Sequence, residues 1–319
     1  MGSFTKLKDI LSTGDSFLLI CHQQPDGDAL GSLLAFSEAL ENNGKEVSMV
    51  CSDVVPEIFS FLPGWDKIKK DFLVGNFDAI ILLDNGDLRR TGFSKRILAA
   101  KEKKVPIINI DHHPKNDLWK VATINYVNES SSSSSEIVYE ILSGLGWKIT
   151  PKIATLLLAG IFNDTGGFQH TNTSERVLNI VSELMNKGAK LKLISENISN
   201  SHSVARLKLW GIALNRMLVN KKFGVVSSFL LRSEIEKLNA SDDEVSGLVN
   251  LMNSVPESKI ALLLYETSDG NIRGSLRTEN SGVDVSFLAK LCGGGGHKKA
   301  AGFTLRGKIE KIDNVWRVV

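Results

Sequence analysis

Cysteine is scarce in this sequence: Cys21, Cys51 and Cys292 are three in 319 residues, widely separated and odd in number. That excludes a disulfide framework, and no cysteine spacing points to a thiolate zinc site. Charge of one sign is also missing, since the net charge is +2. The bulk electrostatic signal of a binder of long nucleic-acid duplexes or anionic membranes is therefore absent, though local basic patches are not excluded. The start, Met1 to Lys6, has no signal-peptide apolar core, and no apolar run is long enough to span a bilayer. These absences point to a reduced, cytoplasmic compartment with no membrane partner. The hydrophobic share of 42% and charged share of 23% fit a globular chain of one large or two ordinary domains.

Histidine and aspartate are concentrated where strands should end. Val105 to Ile110 reads as a buried strand and runs into Asp111-His112-His113-Pro114. On an extended strand Asp111 and His113 share one face and His112 leaves from the other. Two groups could then serve a site while a third supports them. The plain alternative is a polar turn that Pro114 punctuates. Ser16 to Cys21 is a second apolar run, ending in His22-Gln23-Gln24-Pro25-Asp26-Gly27-Asp28, and a helix follows over 29–42. Further strands are expected over 45–50, 78–83 and 121–126, the 78–83 run ending in Asp84-Asn85-Gly86-Asp87. Strand–helix alternation predicts an α/β fold with a parallel sheet and helices on both faces. Ligands then sit beyond the carboxyl ends of the strands, where the acids and imidazoles recur.

An apolar helix over 151–162 ends in Asn163-Asp164-Thr165-Gly166, another acid at a glycine turn. Ser130 to Ser135 reads either as a flexible linker or as the capped start of a helix whose amides could receive an anion. The boundaries expected are a catalytic domain over 1–190, a helical linker over 191–220 and a smaller α/β domain over 221–319. In that last part a hairpin is expected about Ser268-Asp269-Gly270. Arg273, Ser275 and Arg277 alternate along one strand face, and Gly293 to Gly296 precede His297. The glycines read as a cradle whose amides converge on a phosphate, or as a loose loop. Asp26 and Asp87 could be a turn acid and a helix cap. His170 and His202 lie outside the clusters and read as ordinary surface histidines.

Oxygen donors with imidazole suit Mn²⁺ or Mg²⁺, and they are more numerous than one ion needs. Two ions roughly 3.5–4 Å apart would use them for phosphoryl chemistry. The segments at His22 to Ser32, Asp84 to Asp87, Asp111 to Pro114 and Asn163 to Gly166 resemble the four motifs of the DHH phosphoesterase superfamily. The Arg273 to Arg277 and Gly293 to His297 segments resemble its first-type DHH-associated domain. Length and the lack of extra modules are similar to the bifunctional oligoribonuclease/pAp phosphatase (nanoRNase) branch.

The resemblance implies one Mn²⁺ on His22, Asp26 and Asp84, and another on Asp28, Asp84, His112 and Asp164. It also implies that Asp111 orients a histidine and that His113 faces the scissile phosphate. Arg273, Ser275, Arg277, Gly294, Gly295 and His297 would hold the substrate's terminal phosphate or nucleotide. Asn85 departs from the usual threonine or serine. The implied activity is Mn²⁺-dependent hydrolysis of short oligoribonucleotides, with pAp as a second substrate and substrate length measured by the two domains together. Cyclic di-AMP hydrolysis and RecJ-like single-strand exonuclease action are the alternatives, the latter weakened by the missing oligonucleotide-binding module. The linker and exposed helices could support a homodimer.

Overall fold

Apolar residues in unbroken runs form the strands of the first sheet because both of its faces are covered. In a computed structural model of the chain, β1 (Ser16–Cys21) sends Phe17, Leu19 and Cys21 into one core and Leu18 and Ile20 into another. The described residues are all but 1, 74, 76, 199–202, 257 and 314. His202 therefore lies outside them. The chain divides into two compact units, Met1–Ser201 and His202–Val319.

In the first unit α1 (Ser3–Thr13) precedes β1, and α2 (Gly27–Asn42), β2 (Glu46–Val50) and β3 (Ala79–Leu83) follow. Next come α3 (Ser94–Glu102), β4 (Ile107–Asp111), α4 (Leu118–Val121) and β5 (Ile124–Val127). The sheet is wholly parallel, in the order β2-β1-β3-β4-β5. Four helices complete the unit: α5 (Ser134–Leu145), α6 (Pro151–Asp164), α7 (Glu175–Asn186) and α8 (Leu191–Ile198). α2, α5 and α6 cover one face, while Ile97 of α3 and Leu118 of α4 lie in the core on the other. The doubly covered parallel sheet expected from the sequence is what forms. All three cysteines are free.

α2 and α6 approach closely because glycines meet. A Cβ on Gly31 would stand 2.6 Å from the Leu156 carbonyl oxygen and 2.9 Å from the Gly160 amide nitrogen. Asp28 in the first turn of α2 and Asp164 at the end of α6, both candidate acids, come together.

The second unit begins with α9 (Val204–Asn215), β6 (Leu218–Asn220), β7 (Val225–Leu230), α10 (Arg232–Lys237) and α11 (Leu248–Asn253). The expected hairpin follows as β8 (Ile260–Glu266) and β9 (Asn271–Arg277), then α12 (Val285–Leu291). β10 (Gly295–Gly296), β11 (Ala300–Arg306), β12 (Ile309–Ile312) and β13 (Val315–Val318) end the chain. A six-stranded mixed sheet runs β10-β11-β9-β8-β7-β6. The stretch 191–220 is shared: Ile194 of α8 lies in the first unit's core, and Leu209 and Ala213 of α9 lie in the second's. The glycine run does not form one loop, because Gly295 and Gly296 pair with Gly302 and Ala301.

Gly31→Ala should destabilise the first unit by about 1–3 kcal/mol, the usual cost of overpacking. Urea unfolding followed by circular dichroism checks this. A wild-type midpoint would mean that the two helices separate at no cost.

Candidate metal and phosphate sites

The sheet's carboxyl edge gathers the first set of residues. His22 follows β1, Asp84 follows β3, and His112 and His113 follow β4, while Asp26 and Asp28 open α2 and Asp164 closes α6. Three donor groups result: His22-Asp26-Asp84, Asp84-His112-His113 and Asp28-His112-Asp164. Within each, the ligand atoms lie within 4.8 Å of one another. Asp84 and His112 each belong to two groups. All six residues expected to bind metal are thus brought together.

Each is held by identifiable bonds. The Nδ1 of His22 lies 2.6 Å from the Gln23 carbonyl oxygen, and its Nε2 faces Asp84 (3.6 Å) and Asp26 (3.8 Å). A carbonyl at one ring nitrogen leaves the other to a metal, as ligand imidazoles require. Asp26 serves in two ways: its Oδ1 caps α2 by accepting from the Asp28 and Ala29 amides (both 3.0 Å), and its Oδ2 faces His22. Asp84 stands at φ +59, a left-handed conformation that costs a non-glycine residue roughly 1–2 kcal/mol. It also accepts a bond from the Ser134 hydroxyl (3.1 Å). His112 Nε2 lies 3.3 Å from Asp164 and 3.5 Å from Asp84.

The serine run is a helix start. Ser131 to Ser135 are buried, and Ser133 caps α5 by accepting from the Glu136 amide (3.1 Å). The anion received at this N-terminus is Asp28 itself, whose Oδ2 and Oδ1 accept the Ser134 (2.6 Å) and Ser135 (2.8 Å) amides. Sequence reasoning placed an anion there but missed which one. Behind it, a Cβ on Gly160 would collide with the Ser135 hydroxyl and stand 2.7 Å from Asp28 Oδ1.

Strand alternation at Asp111 to His113 needs correction. β4 ends at Asp111, so extended geometry does not continue, and His112 and His113 both reach Asp84. Asp111 is the supporting group. It is fully buried and accepts from the His113 ring (2.7 Å), the His113 amide (3.0 Å) and the Gly86 amide (2.8 Å). The histidine it orients is His113. Asn85 bonds the Ile20 and Leu83 carbonyls (both 3.0 Å), tying the ends of β1 and β3 together. Asp87 caps the turn at Arg90 (2.8 Å) and belongs to no donor group among the described residues. His170 is exposed and reaches the Asp164 carbonyl (3.2 Å).

The electrostatics show what is crowded. Burial, then the neighbouring acids, pushes the Asp28 and Asp164 carboxyls well above the usual range. Burial opposes charge on His22, yet hydrogen bonds to Asp26 and Asp84 push it up to about 10. Burial likewise opposes charge on His113, and the Asp111 bond raises it nonetheless. Several carboxyls crowded together with imidazoles form a site suited to positive charge. The oxygen-rich donor set fits divalent cations.

In the second unit Arg273, Ser275 and Arg277 line a cavity of about 240 Å³ with Tyr265, Asp242 and Gly247. Arg277 is anchored, its Nε bonding Asn250 and its Nη1 the Leu276 carbonyl (both 2.9 Å). Gly294, Gly295 and His297 do not line this cavity. Gly294 donates its amide to Ala289 (2.8 Å) and abuts the Gly302 carbonyl, so packing accounts for its lack of a side chain. Gly295 pairs with Gly302, which pairs with Ser275, giving a bare floor beside Ser275.

Residues 16–161 match the DHH family, N-terminal domain, and residues 222–319 match the DHHA1 domain. The bifunctional oligoribonuclease and PAP phosphatase NrnA of Mycoplasma genitalium is 28% identical over 98% of this chain and 96% of its own. The protein of that name from Bacillus subtilis is 29% identical over 94% of this chain and 93% of its own. The crystal structure of an exopolyphosphatase-related protein from Bacteroides fragilis matches with a TM-score of 0.90 at 27% identity, covering 96% of this chain and 92% of that one. With its donor residues at the ends of the parallel strands and a DHHA1 domain after them, this chain belongs to the DHH family.

Proposed function

We propose that the chain is a Mn²⁺-dependent phosphoesterase that hydrolyses short oligoribonucleotides to nucleoside monophosphates and removes the 3′-phosphate of pAp. The observation that carries this reading is the overlap of three donor groups through Asp84 and His112. The activities in the names of the full-length relatives support it. We assign one ion to His22, Asp26 and Asp84 and the other to Asp28, Asp84, His112 and Asp164. Oxygen donors mixed with imidazole favour Mn²⁺. Such ions, when bound, supply hydroxide near neutral pH and offset charge on the phosphoryl group.

The protein's own part is positioning and proton handling. Asp111 holds His113 by its Nδ1, which leaves Nε2 as the nitrogen that can give a proton to a substrate oxygen. Although burial opposes charge on His113, the Asp111 bond raises its basicity and so favours the protonated ring. Ser134 and Ser135 keep Asp28 and Asp84 from turning away when charge changes. Arg273, Ser275 and Arg277, with the Gly295 floor beside Ser275, are assigned to a terminal phosphate of the substrate. A short substrate offers few phosphates, which agrees with the small net charge.

Cation binding should release protons. The stability that His22 contributes in the cation-free protein is complete below its ordinary value of 6.5 and is lost as pH rises through about 10. At pH 7 it therefore holds a proton that a metal must displace, and the raised Asp28 and Asp164 carboxyls add to the effect. Calorimetric titration of the chelated protein with Mn²⁺ in two buffers of different ionisation enthalpy should show different heats. Saturation near 100 Kd should raise the unfolding temperature by roughly 5–10 °C. Equal heats in both buffers would contradict the protonated His22.

With Mn²⁺, a labelled RNA dinucleotide should be degraded far faster than a long single strand, and similar rates would sink the short-substrate reading. Asp84→Ala removes a donor from two groups at once, so activity should fall by about 10³-fold or more, equivalent to roughly 4 kcal/mol. Hydrolysis near the wild-type rate in that variant would refute the bridging role.

A further inference from the structure

A cavity of the first unit, of about 430 Å³, is lined by Gln23, Gln24, Asp53, Arg89 and Arg90. Small-ligand sites span roughly 300–1,000 Å³. Backbone bonds fix its walls. The Gln23 amide donates to the Arg90 carbonyl (2.7 Å), and the Gln24 amide donates to Asp53 Oδ2 (2.9 Å). Two of its lining residues lie next to the donor cluster. Gln23 directly follows His22. The Arg90 Nη1 lies 2.9 Å from where a Cβ on Gly86 would stand, and the His113 ring lies 3.6 Å from that same point. Among the described residues neither Arg89 nor Arg90 makes an ion pair, although acids crowd the adjoining site.

The chemistry of this lining is mixed in an informative way. Carboxamides pair donor with acceptor, as the edge of a nucleobase demands, and a carboxylate accepts from a ribose hydroxyl. A guanidinium stacks on a base or pairs with phosphate oxygens. We propose that this cavity receives the nucleoside esterified to the phosphoryl group that water attacks, with Arg90 beside that group's oxygen. Gln23, Gln24, Asp53 and Arg89 surround the nucleoside.

This inference rests on the proposed function. In pApA a water oxygen bonds the internal phosphorus, the bond to the 3′-oxygen breaks, and that oxygen takes a proton, giving two AMP. In pAp the same bond change gives AMP and phosphate. The 5′-phosphorylated leaving nucleotide is common to both substrates, and its terminal phosphate is assigned to the second unit. Only the dinucleotide carries a nucleoside on the phosphoryl side. The cavity would thus separate diester from monoester substrates.

The test compares kcat/KM for pApA and for pAp in the wild type, Arg89→Ala, Gln23→Ala and the double variant. Both side chains are exposed, and thermal melts check that the fold is kept. The ratio of pApA to pAp should fall about tenfold per variant, equivalent to about 1.4 kcal/mol, through KM rather than kcat. Arg89→Lys should recover part of the loss. Calorimetric binding of the same two nucleotides should show the same change in the Kd ratio. A ratio that stays at the wild-type value in both turnover and binding overturns the subsite. A wild type that hydrolyses neither nucleotide refutes the proposed function. The subsite is then judged by binding, and an unmoved Kd ratio, or no binding of either nucleotide, overturns it too.

Discussion

The carboxylate of Asp28 is fully buried, and the Ser134 and Ser135 amides hold its two oxygens. Much of the first unit is arranged around that grip. A buried carboxylate without partners would cost several kcal/mol, and the N-terminus of α5 offers amides and a favourable dipole to reduce that cost. The geometry leaves no slack, because Gly160 of α6 has room for only a hydrogen beside Asp28 and Ser135. Two glycines on neighbouring helices therefore matter to a charged site that neither touches with a side chain. Gly31 sets how closely α2 meets α6, and Gly160 lets the Asp28 carboxylate lie against α6.

The same economy appears at the strand ends. The Asn85 Nδ2 donates to the ends of both β1 and β3 and so ties them together. By joining the strands that carry His22 and Asp84, it fixes the spacing of two donors. Asp111 does the equivalent for β4, since its bonds to Gly86 and His113 join the loop after β3 to the end of its own strand. The left-handed conformation of Asp84 turns the chain sharply beyond β3. Strain of that kind persists only where surrounding bonds over-determine it, and here Asn85, Ser134 and Gly86 supply them.

The fold of the first unit was legible because its strands are buried on both faces and read as unbroken apolar runs. The donors were legible because histidine and aspartate recur at one sheet edge. What failed was alternation beyond β4, since a period of two holds only while the backbone stays extended. His112 and His113 lie past that point. The serine run was half legible: its capping role follows from composition, but the partner of its amides lies more than a hundred residues earlier in the chain. Arg90 was missed because nothing local marks it, and only the folded loop after β3 brings it to His113. In the second unit, β10 was hidden inside a glycine run, and its partner β11 follows just beyond it. Glycine signals both a loose loop and a close backbone approach, and the sequence does not separate the two.

That ambiguity bears on how the two units differ in their treatment of anions. The first unit buries carboxylates and needs cations to offset them. In the second unit the face proposed to hold an anion is built from fixed donors on a sheet: Arg273, Ser275 and Arg277 share one face of β9, with Tyr265 of β8 beside Arg273. Burial lowers the proton affinity of Arg277, yet a guanidinium stays charged across the range in which imidazole titrates. Its grip on a phosphate would not change with the metal or with the proton on His113. A glycine row beside Ser275 adds no charge and no rotamer freedom, only room. Under the proposed function, protonation and cation occupancy act on the bond-breaking site, while holding the terminal phosphate is left to groups that neither alters.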